Sequence, residues 1–481
     1  MGIALLALAL AACSAELPAL SPQAAVQTPA PAAEGEMSPA ELREHQRILA
    51  AYGGVYNDPR LQAMVEQLVE RLVAASSRPD LHYKVTILNS ETVNAFALPT
   101  GQLYVTRGLI ALANDESELA SVIGHEMGHV IARHAELREQ EIRDEELGDR
   151  VFTGLVSDPQ ASALALAKSK LRLASFSQKQ ELQADEIGIG TAARAGYDPY
   201  GAVRFLASLE RNAALKSRPN GTGSAAPDFL SSHPATPERI SRALDVARQY
   251  RAPADDTAPG RAAARDAYLA DIDGIIFGED PSEGFVRGRR FLHPRLGFTF
   301  TAPEGFALDN TAQAVLGVKR GGGAALRFDV VQVPAEQTLA DYLTSGWIEN
   351  IDRASVRDVT INGFPGATAT AKGDDWDFRL YAIRFGSDVY RFIFASKNLD
   401  AETDRIFRGS VDTFRRMSLA EIKEAKPLHL KVVKVAPGDT VGKLASRMAV
   451  PDRPMDRFRV LNGLDPAANL EPGSEVKLVV E

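Results

Sequence analysis

Apolar residues recur at helical spacing in the first part of this chain and alternate in the second. Ser38-Pro39 sets a capping residue before a Pro at the first helical position, and helical spacing follows through Ile48. A second helix is predicted over about Pro59–Ala75, where Leu61, Val65, Leu68, Val69 and Leu72 share one face. His82–Leu88 reads as a strand, with Tyr83, Val85 and Ile87 alternating. Asn94–Leu98 and Gln102–Thr106 flank Pro99-Thr100-Gly101 as the arms of a β-hairpin. Asp115 and Glu118 suit a capping box that opens a long helix to about Glu139. After a weakly patterned stretch, another helix begins near Gln178, and Pro237–Tyr250 returns to helix.

From about residue 285 the texture is that of strands. Leu296, Phe298 and Phe300 alternate, as do Leu326, Phe328 and Val330; Phe378–Phe385 and Val389–Phe394 form a hairpin around Gly386-Ser387-Asp388. Helices near Leu339–Trp347 and Asp400–Met417 make this region α+β. The last fifty or so residues read strand, helix, helix, strand, with Gly438-Asp439-Thr440 opening the first helix and Val476–Val480 as the final strand. Between these parts, residues 217–228 are a loop by composition and 251–284 a linker.

The beginning of the chain has a different character. Residues 3–12 are continuously apolar, too short for a mature membrane span of about 20 residues but suited to the core of a secretory signal peptide. Leu10-Ala11-Ala12-Cys13 resembles a bacterial lipobox, which implies cleavage after residue 12 and lipidation of Cys13. Ser14 after the Cys points to the outer membrane in the lipoprotein-sorting pattern, although no Lys or Arg precedes the apolar run. The alternative is a soluble periplasmic protein. The following residues to 37 are Ala- and Pro-rich and read as a tether.

Composition narrows the partners. A formal net charge of −9 leaves nothing to neutralise a phosphate backbone, so nucleic acid is not expected. Cys13 is the single cysteine, which excludes an internal disulfide framework.

The segment Gly124-His125-Glu126-Met127-Gly128-His129 contains HExxH. Residues four apart share a helix face, so both imidazoles can reach one cation, while Glu126 lies on the adjacent arc, close enough to act on a water as general base. Imidazole and carboxylate donors suit one zinc ion. Glu181-Leu182-Gln183-Ala184-Asp185 supplies two further carboxylates at i and i+4. If Glu181 is the third ligand, Asp185 is placed to fix the outward N–H of a ligand His. His134, five residues past His129, is predicted to be rotated away from the metal. Gly124 and Gly128 each cost about 1 kcal/mol of helix propensity, so they are expected to let substrate or a strand approach.

HExxH followed by a helical ExxAD resembles the gluzincin zinc-metallopeptidase family of the HtpX, CAAX prenyl and periplasmic BepA-type peptidases. Asn94-Ala95-Phe96-Ala97, Leu103–Gly108 and Ser232-His233-Pro234 with Arg239 match that family as well. Lacking membrane helices, the chain is most similar to the periplasmic and lipoprotein branch. The resemblance implies His125, His129 and Glu181 as ligands, Glu126 as base and Asp185 as partner of His125. For His233 and Arg239 it leaves two roles open: a contact to substrate or oxyanion, or, for His233, zinc's fourth position in a resting state. Gln102–Thr106 is expected to be an edge strand that binds extended substrate through Asn94, Ala95, Phe96, Gln102, Leu103 and Tyr104. The C-terminal strand–helix–helix–strand resembles a LysM module, a glycan-binding unit.

The expected fold is therefore α+β multidomain: signal peptide 1–12, lipidated Cys and tether 13–37, a mainly helical peptidase domain with a small β-sheet 38–250, linker 251–284, an α+β accessory domain 285–418, and a βααβ LysM-like domain 428–481. The implied activity is endopeptidase cleavage of unfolded or misassembled envelope proteins, near peptidoglycan and the membrane. Two other readings stand beside it: a peptidoglycan amidohydrolase, and a glycan-tethered chaperone or scaffold with a structural zinc.

Overall fold

The computed structural model describes residues 37–138, 140, 176–216, 228–250, 259–450 and 452–481. Cys13, the apolar leader, the tether to residue 36 and loop residues 217–227 lie outside the described residues. Helix α1 (Pro39–Ala51) begins with reciprocal caps: the Ser38 amide donates to the Glu41 carboxylate and the Glu41 amide to Ser38 Oγ. Helix α2 (Pro59–Ala75) is capped by Asp58 and buries the five apolar residues of its predicted face.

Strands β1 (Lys84–Leu88), β2 (Ala95–Ala97) and β3 (Gln102–Thr106) form one sheet. β2 and β3 are the arms of the predicted hairpin, but β1 runs parallel to β3 on its other side, giving the order β1-β3-β2. The expectation that Gln102–Thr106 is an edge is thereby corrected. All five β3 residues are buried, the signature of a central strand covered on both faces.

Helix α3 (Arg107–Leu112) leads into α4 (Glu116–Ile131). Asp115 caps α4 by accepting from the Glu118 amide (2.8 Å), while the Glu118 carboxylate reaches back to the Asn114 amide (2.9 Å), one residue beyond a standard box. α4 stops at Ile131 rather than running to Glu139, because Arg133 turns left-handed (φ 56°) and a new helical stretch starts at His134. The domain continues through α5 (Gln178–Arg194), α6 (Gly201–Lys216), the single-turn α7 (Phe229–Ser232) and α8 (Pro237–Tyr250). The predicted linker instead contains α9 (Pro259–Ile272) and strand β4 (Ile276–Phe277). Tyr268, Leu269 and Ile272 are fully buried, and Tyr268 Oη donates to the Ile110 carbonyl (2.7 Å).

The accessory region has two sheets. β5 (Phe285–Arg287), β6 (Arg290–His293), β7 (Phe298–Thr301) and the short β15 (Arg415–Arg416) make the smaller. β8 (Phe306–Asn310), β9 (Val315–Lys319), β10 (Ala324–Val331), β11 (Ile351–Ile361), β12 (Phe364–Lys372), β13 (Asp377–Phe385) and β14 (Asp388–Ser396) make an antiparallel sheet of order β11-β12-β13-β14-β10-β9-β8. Aromatic residues of β7, β10 and β14 pack with Phe407 of a helix at Ala401–Val411 in one core; Leu339 and Leu343 of a helix at Leu339–Leu343 belong to another.

The C-terminal segment has the predicted order: β16 (Leu428–Lys434), a helix at Val441–Ala445, a helix at Pro454–Leu461, and β17 (Glu475–Val480). It does not stand apart. β16 pairs with β17 on one side and with β4 on the other, and Leu430, Leu444, Phe458 and Val479 join the same hydrophobic core as α2, α4 and α9. Lys477 is fully buried, and its ammonium donates to the carbonyls of Ala111 (2.8 Å), Leu112 (3.2 Å) and Ala113 (2.8 Å). That places a cation on the negative end of α3. No helix among the described residues is long and apolar enough to cross a membrane.

A shared core predicts shared unfolding. Each large apolar side chain contributed by 428–481 stabilises by roughly 1.5–3 kcal/mol, and several of them together rival a typical domain stability of about 5–15 kcal/mol. Calorimetry should therefore show residues 428–481 melting with the peptidase region in one transition. Deleting them should abolish that transition or lower its midpoint by more than about 10 °C; an unchanged midpoint would mark an independent module.

Candidate metal centre

The centre exists because two helices touch backbone to backbone. A Cβ on Gly128 would lie 2.8 Å from the Ala184 carbonyl oxygen, and one on Gly124 3.0 Å from that of Gly188. From the other side, a Cβ on Gly188 would sit 2.6 Å from the His125 nitrogen. Gly124 and Gly128 of α4 thus admit α5, not a strand or substrate as expected from sequence. The close approach aims Glu181 and Asp185 at His125 and His129.

Four donors converge in the gap: His125, His129, Glu181 and His233, all buried, with ligating atoms within 4.8 Å of one another. His125 Nε2 and His129 Nε2 are 3.0 Å apart; Glu181 lies 3.5 Å from the first and 3.4 Å from the second. His233 Nδ1 is 2.9 Å from Glu181 Oε1 and 3.3 Å from His125 Nε2. Zinc–nitrogen and zinc–oxygen bonds near 2.0–2.1 Å put tetrahedral ligands roughly 3.3 Å apart, which is the spacing of this set. The residues fit the ion on chemistry too, since imidazole nitrogens and a carboxylate oxygen are the donors that zinc takes.

A second layer holds the donors. Asp185 Oδ1 lies 2.8 Å from His125 Nδ1. Arg239, 1% exposed, donates Nε and Nη2 to Asp185 (2.8 and 2.7 Å), and its Nη1 lies 2.7 Å from Glu181 Oε2 and donates to the Pro234 carbonyl. With these contacts Arg239 stands behind the donors, on Asp185 and Glu181, and not in the gap between them, where a catalytic contact to substrate or oxyanion was expected. Behind the second ligand, His134 Nδ1 is 3.0 Å from His129 Nδ1 and its Nε2 is 3.2 Å from Gln183 Oε1. His134, expected to point away, is 1% exposed beside the metal ligand.

The electrostatics are those of a cation site. Burial pushes the Glu181 carboxyl upward, yet His125, His129 and His233 hold it well below the usual carboxylate range. Burial would lower His125, but Asp185 and Glu181 outweigh it and keep the imidazole up at about 9. Burial brings His129 down to about 3 despite Glu181, so within one helical turn the two imidazoles are driven in opposite directions. Glu126 is raised by burial, with His233 opposing. Its Oε1 has no hydrogen-bond partner among the described residues and lies 3.6 Å from His233 Nε2, while the Ala97 amide donates to the carboxylate.

The expected substrate contacts divide. Leu103 and Tyr104 are fully buried in the middle strand, with Gln102 beside them, and their backbones are taken up on both sides; these three are corrected to sheet core. Asn94 is buried, donating Nδ2 to Tyr52 Oη (2.9 Å). Ala95 and Phe96 lie on β2, whose far side pairs with no described strand and which packs against α4. The edge beside Glu126 that no described strand pairs with is therefore Ala95–Ala97, its Ala97 amide given to Glu126.

Residues 59–247, from the start of α2 into α8, match the profile of a family described as Peptidase family M48. They form a Peptidase M48 family domain. The Beta-barrel assembly-enhancing protease of Escherichia coli (strain K12) is 32% identical over 214 residues, 43% of this chain and 42% of that protein. A Mitochondrial metalloendopeptidase OMA1 of Arabidopsis thaliana is 33% identical over 186 residues, 38% of this chain and 36% of its own, and one of Schizosaccharomyces pombe is 31% identical over 180 residues, 37% and 50%. The chain thus spans half or less of the length of these relatives. The match is to a peptidase family, and the buried cluster within it can hold one metal ion, consistent with zinc.

If close helix contact sets the donor geometry, filling it should disturb metal binding before anything else. Gly188→Ala is expected to destabilise by about 1–3 kcal/mol through overpacking and to weaken zinc binding, read by competition with a chromogenic chelator. Unaltered zinc affinity in this variant would show that the helices can separate without moving the ligands.

Proposed function

We propose that this chain is a zinc endopeptidase that cleaves unfolded or misassembled proteins of the bacterial envelope. The observation that carries the reading is a buried carboxylate, Glu126, with an unpartnered oxygen facing donors spaced for zinc. Zinc bound there supplies Lewis acidity to the water and the peptide carbonyl. Glu126 accepts the proton of the attacking water and hands it to the departing amide nitrogen. Asp185 and Arg239 keep His125 and Glu181 in place while charge develops. The unpaired edge of β2 takes an extended stretch of substrate antiparallel to it, through backbone groups other than the Ala97 amide held by Glu126, a mode indifferent to side-chain sequence and suited to quality control. The leader with Leu10–Cys13 supports export and outer-membrane anchoring, and the name of the Escherichia coli relative supports an envelope setting. Residues 428–481 would keep the enzyme near peptidoglycan.

The position of His233 favours a second element of this reading, a latched resting state. Catalytic zinc sites keep one position open, whereas closed four-donor sets are structural. His233 closes this one, held by stacking on Phe229 (4.5 Å) and Phe176 (5.4 Å) and by a bond from the Phe229 amide to the Val93 carbonyl (2.9 Å). A purely structural zinc would give Glu126 no task, so the closed set is read as a peptidase whose substrate must displace His233.

Two measurements test this. Glu126→Gln should abolish proteolysis of an unfolded protein while keeping about one zinc per chain, and Glu181→Ala should lose both. His233→Ala should raise basal cleavage if it is a latch; a fall of roughly 10²–10³ in rate would instead make it an oxyanion donor. Full proteolysis by Glu126→Gln overturns the mechanism.

A further inference from the structure

The sequence gives His134 no task. In a continuous helix a residue five positions on is rotated by about 140° from its reference, so His134 would face away from His129. The break at Arg133, with its left-handed φ of 56°, brings the imidazole back over the metal ligand. There it is 1% exposed, and each of its ring nitrogens faces one partner: Nδ1 meets His129 Nδ1 at 3.0 Å, and Nε2 meets Gln183 Oε1 at 3.2 Å.

We propose that His134 and Gln183 form a neutral relay that fixes the tautomer of His129, leaving its Nε2 lone pair for the metal. This rests on the reading of the cluster as a zinc site. The hydrogen-bond roles follow from both ends. An amide oxygen only accepts, so Gln183 Oε1 requires a proton on His134 Nε2. A neutral His134 then has its lone pair on Nδ1 and accepts from His129 Nδ1–H. With that proton outside, His129 Nε2 is free to ligate, and it is the nitrogen that faces His125 and Glu181. Starting from the metal side gives the same assignment, and each contact along the chain has one donor and one acceptor.

The relay also ties two elements together. Gln183 stands two residues after the ligand Glu181 on α5, so the bond through His134 links the end of the His-bearing helix to the Glu-bearing helix. The two histidine ligands are consequently held by different chemistry: His125 by the carboxylate of Asp185, itself clamped by Arg239, and His129 by an uncharged imidazole. A carboxylate raises ligand basicity more than a neutral acceptor does, so His129 is the more loosely held ligand. Outer partners of ligating histidines are worth on the order of 10–100-fold in metal affinity.

The test uses the full chain, with zinc as the probe. Wild-type protein should bind one zinc in a chelator competition; absence of any binding would sink the zinc reading itself and not the relay. Against that reference, His134→Leu should weaken zinc about 10–100-fold. His134→Asn places an amide oxygen where Nδ1 stood and should restore affinity to within a few fold, an ordering that mere loss of packing would not give. Gln183→Leu removes the far acceptor from an exposed position, leaves the core intact and should cost several fold. Nitrogen-15 shifts of His129 in metal-free protein supply an independent readout: Nδ1–H in wild type and in His134→Asn, a mixture of tautomers in His134→Leu. Unchanged zinc affinity and an unchanged tautomer in both His134→Leu and Gln183→Leu overturn the proposal, as does Leu binding zinc as well as Asn.

Discussion

Everything at the centre depends on how closely α4 and α5 approach. Side chains between helices ordinarily hold their axes about 8–10 Å apart. Here Gly124 and Gly128 on one helix and Ala184 and Gly188 on the other leave backbone against backbone. Two glycines in α4 lower its own propensity, so tertiary contact must stabilise it instead. The return is positional. Glu181 and Asp185 have short reach, and only a close helix can put one of them on the metal side of His125 and the other on its outer nitrogen.

Once the helices touch, charge dictates the next layer. Two carboxylates buried side by side would repel and take up protons unless cations face them. Arg239 answers this by spanning both, with one nitrogen on Glu181 and two on Asp185. Its own burial is tolerable only because those carboxylates are there. Most of the Arg239 donors are thereby taken up within the protein, and α8 is held to α5 by an ion pair rather than by apolar packing alone. The arrangement runs outward from the metal as donor, carboxylate, guanidinium, each step compensating the charge of the one before.

Legibility from sequence followed the range of the interaction. HExxH and ExxxD are i, i+4 patterns within single helices, and the helix geometry that makes them meaningful is local. That Asp185 would face the outer nitrogen of a ligand imidazole followed from the same spacing, whereas its pairing with His125 was implied by the family resemblance. His134 was misjudged because its position turns on one left-handed residue, Arg133, and nothing in an arginine announces φ above zero. The order of the first sheet was misjudged for another reason. A hairpin is legible in its turn, but the parallel partner β1 arrives from fourteen or so residues away, and only the unbroken apolar run Leu103-Tyr104-Val105 hinted at a strand covered on both sides. Helix α9 was hidden by its alanines, since among its described side chains the buried ones are Tyr268, Leu269 and Ile272, near its end.

The C-terminal segment shows how a local pattern can be right and its independence wrong. Strand, helix, helix and strand are all where spacing puts them, yet Lys477 lies under the carbonyls that end α3, and those carbonyls lead through Asn114 to Glu118 in the first turn of the metal helix. Burial pushes the Lys477 ammonium down to about 7, with Glu118 opposing. A buried ammonium survives only where carbonyls and a carboxylate surround it, so the segment and the helix end define each other. Any load borne by residues 428–481 therefore passes directly into the base of α4. The segment is thus part of the framework under the metal helix and not a module on a free linker.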